Sequence, residues 1–163
     1  MEKNYTVEPV TAEDVDAVFD NPWTITQQDM EAFSFDEMSR ETRREVIVGT
    51  YAKDYGLAIK DENGKVIAIT GACKEYDLPK TWWTWFFATP DFVPHARNVT
   101  DIVNTILTSC AEKEGALEVR AYSPANTREA IVWFKRLGFH KGAEVVINGK
   151  DDVKLNIFKR SFK

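Results

Sequence analysis

The side chains of this sequence that could move a proton come at the ends of predicted strands. Glu75 follows a strand that ends at Cys73, with Tyr76 and Asp77 beside it, and Tyr122 closes a later strand. A carboxylate can accept a proton from an ammonium group, and a phenol can donate one to a leaving group. Each of these residue types is also common as a solvated loop residue, so the sequence positions alone assign no role.

A second group of polar residues could hold an anion. His95, Arg97 and Asn98 precede the longest predicted helix, whose start we place near Asn98. A helix N-terminus attracts anions because its first N–H groups have no partner within the helix. The stretch Thr89–Thr100, however, has no glycine, and its two prolines remove donors while its aspartate adds negative charge. A phosphate site and a plain strand-to-helix connection therefore both remain open.

The remaining residues that could bind metal or form disulfides give no pattern. His95 and His140 are far apart in the sequence, and neither has a neighbouring ligand at metal-binding spacing. Cys73 lies in a strand pattern and Cys110 in a helix pattern, which is typical of buried reduced thiols. We expect no metal ion and no disulfide.

Composition narrows the class of protein. The chain has 163 residues, 44% of them hydrophobic, and a net charge of −5. This length predicts one domain, residues 1–163, with a substantial core. The acidic balance disfavours nucleic acid and anionic membranes as partners, and the sequence has neither a membrane span nor a signal peptide pattern. We therefore expect a cytoplasmic protein.

The elements that must position these residues follow from hydrophobic periodicity. Helices are predicted to begin at Thr11, Thr26, near Asn98 and at Asn126, and 34–51 is mostly helical without clear boundaries. The predicted strands are Tyr5–Val10, Tyr55–Lys60, Lys65–Cys73, Thr81–Thr89, Leu117–Tyr122, Phe139–Ile147 and Val153–Lys159. The order β-α-α-β-β-β-α-β-α-β-β predicts an α/β domain with a mixed, mostly antiparallel central sheet flanked by helices.

One hairpin can be predicted with its turn. Asn63-Gly64 separates the second and third predicted strands. This dipeptide favours a type I′ turn, in which both central residues have positive φ. We therefore predict an antiparallel pair closed by a type I′ turn.

Five large aromatic side chains lie in the fourth predicted strand, in two sets that alternate between its faces: Trp83, Trp85 and Phe87 on one, Trp82 and Phe86 on the other. Packing into the core is the first interpretation. So many aromatics in one strand also allow a binding surface as the alternative.

The last predicted helix has the clearest boundaries. Asn126 is placed as its N-cap, with Glu129 completing a capping box, and Gly138 as its left-handed C-terminal residue before Phe139. A strand, an Asn-capped short helix, Gly-Phe and a further strand resemble the C-terminal half of the GNAT acyltransferase family. The order of elements extends this resemblance over nearly the whole chain.

The resemblance implies transfer of an acyl group from acetyl-CoA or another acyl-CoA to an amine acceptor. It implies that the backbone of Phe87 and Ala88, at the end of the fourth strand, faces the thioester, and that Arg97 and Asn98 hold the pyrophosphate. It also implies that Asn126 contacts the cofactor.

The sequence departs from the family at the leaving-group acid. Phe134 stands where many members have a tyrosine near the cofactor sulfur, and phenylalanine has no proton to donate. Tyr122 and Ser123 are then possible substitute acids. The candidate bases are Glu75, Tyr76, Asp77 and Asp91.

A second, shorter resemblance points away from catalysis. GNAT-like internal virion proteins of short-tailed bacteriophages share the aromatic fourth strand, the glycine-poor loop and a helix end like Phe134–Gly138. Two functions are therefore open. One is an acyl-CoA-dependent N-acyltransferase with an atypical loop, and the other is a non-catalytic protein, such as a virion component, that binds a protein partner.

Overall fold

The computed structural model describes residues 4–78, 80–124, 127–147 and 153–162. Its seven strands are Thr6–Pro9 (β1), Tyr55–Lys60 (β2), Val66–Lys74 (β3), Thr81–Ala88 (β4), Glu118–Ser123 (β5), His140–Ile147 (β6) and Val153–Ser161 (β7). Its α-helices are Ala12–Phe19 (α1), Thr24–Ala32 (α2), Arg40–Arg44 (α3), Phe92–Glu114 (α4) and Arg128–Arg136 (α5). The predicted order of strands and long helices is confirmed.

The strands form one mixed sheet in the order β1-β2-β3-β4-β5-β7-β6. The pairs β1–β2, β2–β3, β5–β7 and β6–β7 are antiparallel. Strand β4 runs parallel to β5, with Thr81–Trp83 paired to Glu118–Arg120. The predicted α/β class with a mixed, mostly antiparallel sheet is confirmed.

The chain divides into two compact units, and both β4 and α4 contribute to each. The first unit, residues 1–73 and 85–99, has an aromatic core beneath its helices. Phe87 packs against Phe19 and Phe35, with ring centroids 5.4 and 5.7 Å away, and Trp85 stacks on Phe87. Core packing is therefore confirmed for this face of β4, and the single domain expected from chain length stays a prediction.

The second unit, residues 74–84 and 100–163, has a separate core around α5 and β7. Phe134 lies parallel to Phe158 with ring centroids 3.9 Å apart. Arg160 of β7 donates hydrogen bonds to Asn104 Oδ1 of α4 and to the carbonyl of Leu137 at the end of α5. These bonds fasten both helices to β7.

The starts of α2 and α5 differ from the predictions. Helix α2 begins at Thr24, two residues before the predicted Thr26. The N-cap of α5 is Thr127, whose Oγ1 accepts a hydrogen bond from the Ala130 N–H, so the predicted N-cap at Asn126 was wrong by one residue. Threonine and asparagine cap helices by the same bond, which leaves adjacent candidates hard to separate by residue type. Asn126 itself lies outside the described residues.

The hairpin between β2 and β3 is confirmed, but its turn is not type I′. Gly64 has φ +79°, whereas Ser34 is the one non-glycine residue with positive φ in the described part of the chain, so Asn63 does not have it. The carboxylate of Asp61 accepts from the N–H groups of Asn63 and Lys65 at 2.9 and 3.0 Å. This side chain stabilises a wider turn that needs positive φ only at its glycine.

The segment with unclear boundaries contains three short helical pieces. A 3₁₀-helix, Phe35–Glu37, is followed by α3 and by a π-helix, Glu45–Tyr51. The π-helix is marked by the Ala52 N–H donating to Ile47 O, five residues back. The carbonyl of Tyr51 at its end accepts from Trp85 Nε1 at 3.0 Å, which ties the π-helix to β4.

Candidate functional site

Helix α4 begins at Phe92, six residues before the predicted start at Asn98. Phe92 is almost completely buried. Its ring packs against Trp23 and Phe86, with centroid distances of 4.9 and 5.2 Å. This aromatic contact explains the early start, because it holds the first residue of the helix inside the core where a loop was expected.

The first N–H groups of α4 have partners within the chain. The Phe92 N–H donates to Thr89 O at 3.0 Å, and the Val93 N–H donates to Pro90 O at 3.2 Å. Pro94, the third residue of the helix, has no N–H group. The donors that make a helix N-terminus an anion site are thus bonded or missing at these three positions.

The charge beside this helix start is negative but paired. Asp91, immediately before α4, forms an ion pair with Lys65 at 2.9 Å. A carboxylate at this position interacts favourably with the helix dipole, as an anionic ligand would. The helix start is therefore already compensated by a side chain of the protein.

The three residues expected to hold phosphate lie in the second turn of α4. His95 Nδ1 and the hydroxyl of Tyr5 are 2.7 Å apart, and Asn98 Nδ2 donates to the same hydroxyl at 3.1 Å. Arg97 and Asn98 are exposed. The structure thus brings His95 and Asn98 together around Tyr5, and it places Arg97 one turn beyond the helix start.

The expected thioester-facing backbone at the end of β4 also has partners. The Ala88 N–H donates to Thr26 Oγ1 at 2.9 Å, and Ala88 O accepts from the Trp23 N–H at 2.8 Å. Thr26 and Ala88 are both fully buried. Phe87 is buried in the aromatic core of the first unit. The start of α2 therefore satisfies both backbone groups of Ala88.

The candidate acids and bases lie in the second unit. Phe134 is buried against Phe158, and its ring offers no proton. Tyr122 is half-buried in β5. The pKa of Arg120 is raised mainly by its hydrogen bond with Glu118 and to a smaller extent by a hydrogen bond with the Tyr122 hydroxyl. Tyr122 thus has an arginine as its neighbour.

Glu75 lies in the connection from β3 to β4 and is half-buried, and its backbone N–H donates to Thr81 O at 2.9 Å. Whether Glu75 or Tyr122 acts on a proton stays a prediction.

Sequence reasoning missed Trp23, Thr26 and Phe92, which decide the structure around the helix start. One signal was present, since Phe92 and Val99 are apolar at a spacing of seven residues and both are buried. That spacing is two turns of one helical stripe, which would have extended α4 back to Phe92. No signal within the sequence indicated that Thr26 would bond to Ala88.

Other kinds of site find little support in the described residues. No group of three His, Cys, Asp or Glu side chains in them could hold a metal ion. None of the described helices combines the length and apolar character needed to cross a bilayer. Cys73 and Cys110 are free thiols, and burial raises the pKa of Cys110.

No family model matches the sequence, and no curated protein matches it. Solved structures do match the fold. They include an N-acetyltransferase from Staphylococcus aureus Mu50, at 14% identity and TM-score 0.72, covering 98% of this chain and 99% of that one. An acetyltransferase of the GNAT family from Bacillus anthracis has 9% identity, TM-score 0.70 and coverages of 99% and 97%.

A third match is yncA from Salmonella typhimurium, solved with its cofactor acetyl-CoA, at 12% identity, TM-score 0.64 and coverages of 98% and 94%. The TM-scores and coverages show a shared fold, and at identities this low they show the fold alone. The chain therefore has the fold of the GNAT acetyltransferases over nearly its full length.

Proposed function

We propose that this protein uses the GNAT fold without acyl-CoA chemistry and acts by binding a protein partner. The observation that carries the proposal is the start of α4 at Phe92, with the N–H groups of Phe92 and Val93 bonded to Thr89 O and Pro90 O. A role as a structural component, such as the virion protein that the shorter resemblance implies, belongs to this class of function.

A pyrophosphate is held by protein groups that compensate its charge. Its negative charge needs several free N–H donors or cations that converge on one point. At this helix start, Pro94 has no N–H, and Lys65 is engaged by Asp91 at 2.9 Å. Arg97 is exposed and one turn away. The residues present do not fit the cofactor that the fold implies.

The residues expected around the reacting atoms support the same proposal. An oxyanion needs a backbone donor that is free to point at it. The Ala88 N–H is 2.9 Å from Thr26 Oγ1 in a fully buried position, so using it for a thioester would break an existing bond. Phe134 cannot protonate a leaving thiolate.

The second candidate function is an acyl-CoA-dependent N-acyltransferase. The observation that favours it is the likeness over nearly the whole chain to acetyltransferase structures, one of them solved with acetyl-CoA. In this case Glu75 would be the base and Tyr122 the acid, with Arg97 and Asn98 at the pyrophosphate and an amine as the acceptor.

Thermal unfolding with acetyl-CoA, free coenzyme A and a longer acyl-CoA tests the choice between them. A ligand at a hundred times its dissociation constant stabilises a protein by about 2.7 kcal/mol, which raises Tm by roughly 5–10 °C for a chain of this size. We expect no shift with any of the three compounds.

The Arg97→Glu variant is the matched control. A shift in the wild type that disappears in Arg97→Glu would refute the proposal and establish a pyrophosphate site in the second turn of α4. Amine acetylation could then be measured on Glu75→Gln and Tyr122→Phe. A shift that Arg97→Glu leaves unchanged would also refute the proposal, and it would remove Arg97 from the site.

A further inference from the structure

The two compact units of this protein have opposite net charges. The first unit contains 8 basic and 16 acidic residues, a net charge of −8. The second contains 13 basic and 10 acidic residues, a net charge of +3. Such asymmetry within one chain favours contacts between its two unlike surfaces when molecules meet.

In the first unit, the arginines at the two ends of α3 pair with carboxylates at α1, although both keep part of their side chain exposed. Arg44 forms an ion pair and hydrogen bonds with Asp16 of α1, and Arg40 pairs with Asp20 at 3.1 Å. Glu41 and Glu45, each one residue after an arginine of this segment, are exposed. The cations of this segment are thus engaged within the unit while its carboxylates face solvent.

The exposed residues continue into the π-helix with an apolar residue and a glycine. Val48 is 39% exposed, and Gly49 is exposed beside it. We call Glu41, Glu45, Val48 and Gly49 the acidic face. It has the composition of a small contact surface, with an apolar centre and a charged rim.

Gly49 has no explanation within the fold. Its φ is not positive, and a Cβ added to it would have no atom within 4 Å. Glycine inside a helix costs about 1 kcal/mol relative to alanine. A glycine that the protein itself does not need is expected where another backbone or side chain approaches closely.

Helix α5 of the second unit carries the complementary surface. Arg128, Val132, Lys135 and Arg136 are exposed and lie at spacings of three, four and eight residues, on one side of the helix. Val132 is 38% exposed, with cations on both sides of it. Within the described part of the chain, none of these three cations belongs to an ion pair. We call these four residues the basic stripe.

We infer that the basic stripe of one molecule binds the acidic face of a second copy, with Val132 against Val48 and Gly49. The two surfaces differ, so the contact is head-to-tail and a bound pair leaves one basic stripe and one acidic face free. A contact of this kind between two short helical segments falls below about 1,200 Å² in total, the range of weak and transient interfaces. The inference does not rest on the proposed function, and its experiments contain no coenzyme A.

Sedimentation velocity of the full chain tests the association directly. Protein from about 10 µM to about 1 mM would be compared at about 20 mM and about 500 mM NaCl, since weak contacts need high concentration and exposed charges are screened by salt. We expect the weight-average sedimentation coefficient to rise with concentration at low salt and to stay nearly constant at high salt. A monomer under all these conditions would overturn the inference.

Charge reversal on each surface identifies the contact. The double variants Lys135→Glu/Arg136→Glu and Glu41→Lys/Glu45→Lys should each remain monomeric. An equimolar mixture of the two should associate again, because each variant then presents a surface complementary to the other. The matched control is Lys80→Glu/Lys113→Glu, which changes two exposed cations of the second unit outside the stripe. This variant should still associate, whereas Lys135→Glu/Arg136→Glu should not.

Restored association in the mixture also shows that both variants are folded, because a misfolded variant could not restore it. Absence of association in a mixture of two folded variants would overturn the inference, as would wild-type behaviour of Lys135→Glu/Arg136→Glu. Gly49→Gln adds a second check, because its side chain fills the space above the glycine. It should weaken association at least threefold, whereas an unchanged affinity would contradict the close approach at Gly49.

Discussion

Replacing Thr26 by valine should expose how far the end of β4 depends on its hydrogen bond to α2. Valine keeps the shape of the side chain but removes Oγ1, which accepts from the Ala88 N–H at 2.9 Å. Thr26 is 1% exposed, so water cannot replace the lost acceptor. A buried donor left without a partner costs about 1–3 kcal/mol. For a chain of this length that lowers Tm by roughly 2–12 °C.

Two measurements make this prediction specific. Thermal unfolding gives the loss of stability, and the amide resonance of Ala88 in a ¹⁵N–¹H spectrum reports the bond itself. Thr26→Ser is the control, since it retains the oxygen and loses only a methyl group. The Ala88 amide should keep its position in Thr26→Ser and move in Thr26→Val.

The reasoning about Ala88 would be refuted by a Thr26→Val protein with wild-type Tm and an unmoved Ala88 amide. The variant also bears on function. It frees the N–H that an acyl thioester would need, yet we expect it to bind acetyl-CoA no better than the wild type. The first N–H groups of α4 remain bonded to Thr89 O and Pro90 O in this variant, so the pyrophosphate still lacks donors.

Two further predictions concern stability. Gly71→Ala should destabilise the protein by about 1–3 kcal/mol or more in urea unfolding, because its Cβ would lie 2.1 Å from Tyr55 O and 2.6 Å from the Trp85 ring. Gly49→Ala has open space at its Cβ and should stabilise the protein by about 0.4–1 kcal/mol. Equal effects of the two substitutions on the free energy of unfolding would contradict both local environments. Burial raises the pKa of Tyr51 to about 12 from 10.0, so its contribution to stability is present below pH 10 and is lost as the pH rises towards 12. Absorbance at 295 nm should show one late-ionising phenol that Tyr51→Phe removes, and its persistence in that variant would assign the late ionisation elsewhere.

Much of the fold could be predicted because the elements carry their own local signals. Strand β2 has the predicted bounds, since alternating side chains and a following turn define it from both sides. The helix start predicted at Thr11 is confirmed, because Thr11 is the N-cap of α1 and exchanges hydrogen bonds with Asp14. Gly138 has the expected positive φ of +83°. These features depend on residues within a few positions of one another.

The candidate site could not be predicted in the same way because its decisive contacts are distant in sequence. Trp23 and Phe92 are 69 positions apart and pack ring against ring. Tyr5 reaches His95 and Asn98 from the other end of the chain. His95 and Asn98 are candidate ligand groups by their place in the sequence, and their positions gave no sign that the Tyr5 hydroxyl would be a partner of both. Residue type gives hydrogen-bonding capacity, and only tertiary structure says how that capacity is used.

The early start of α4 supports the proposal that this stretch holds no phosphate. A cradle for phosphate requires a stretch of backbone that stays out of the helix with its N–H groups exposed. Here Phe92 is drawn into the core by Trp23 and Phe86, and the residues after it continue as helix. We therefore expect that glycine at a single position such as Ala96 would not create an anion site, because the surrounding turn would remain helical. Creating one would require removal of the aromatic contact at Phe92 as well, and that contact is part of the core of the first unit.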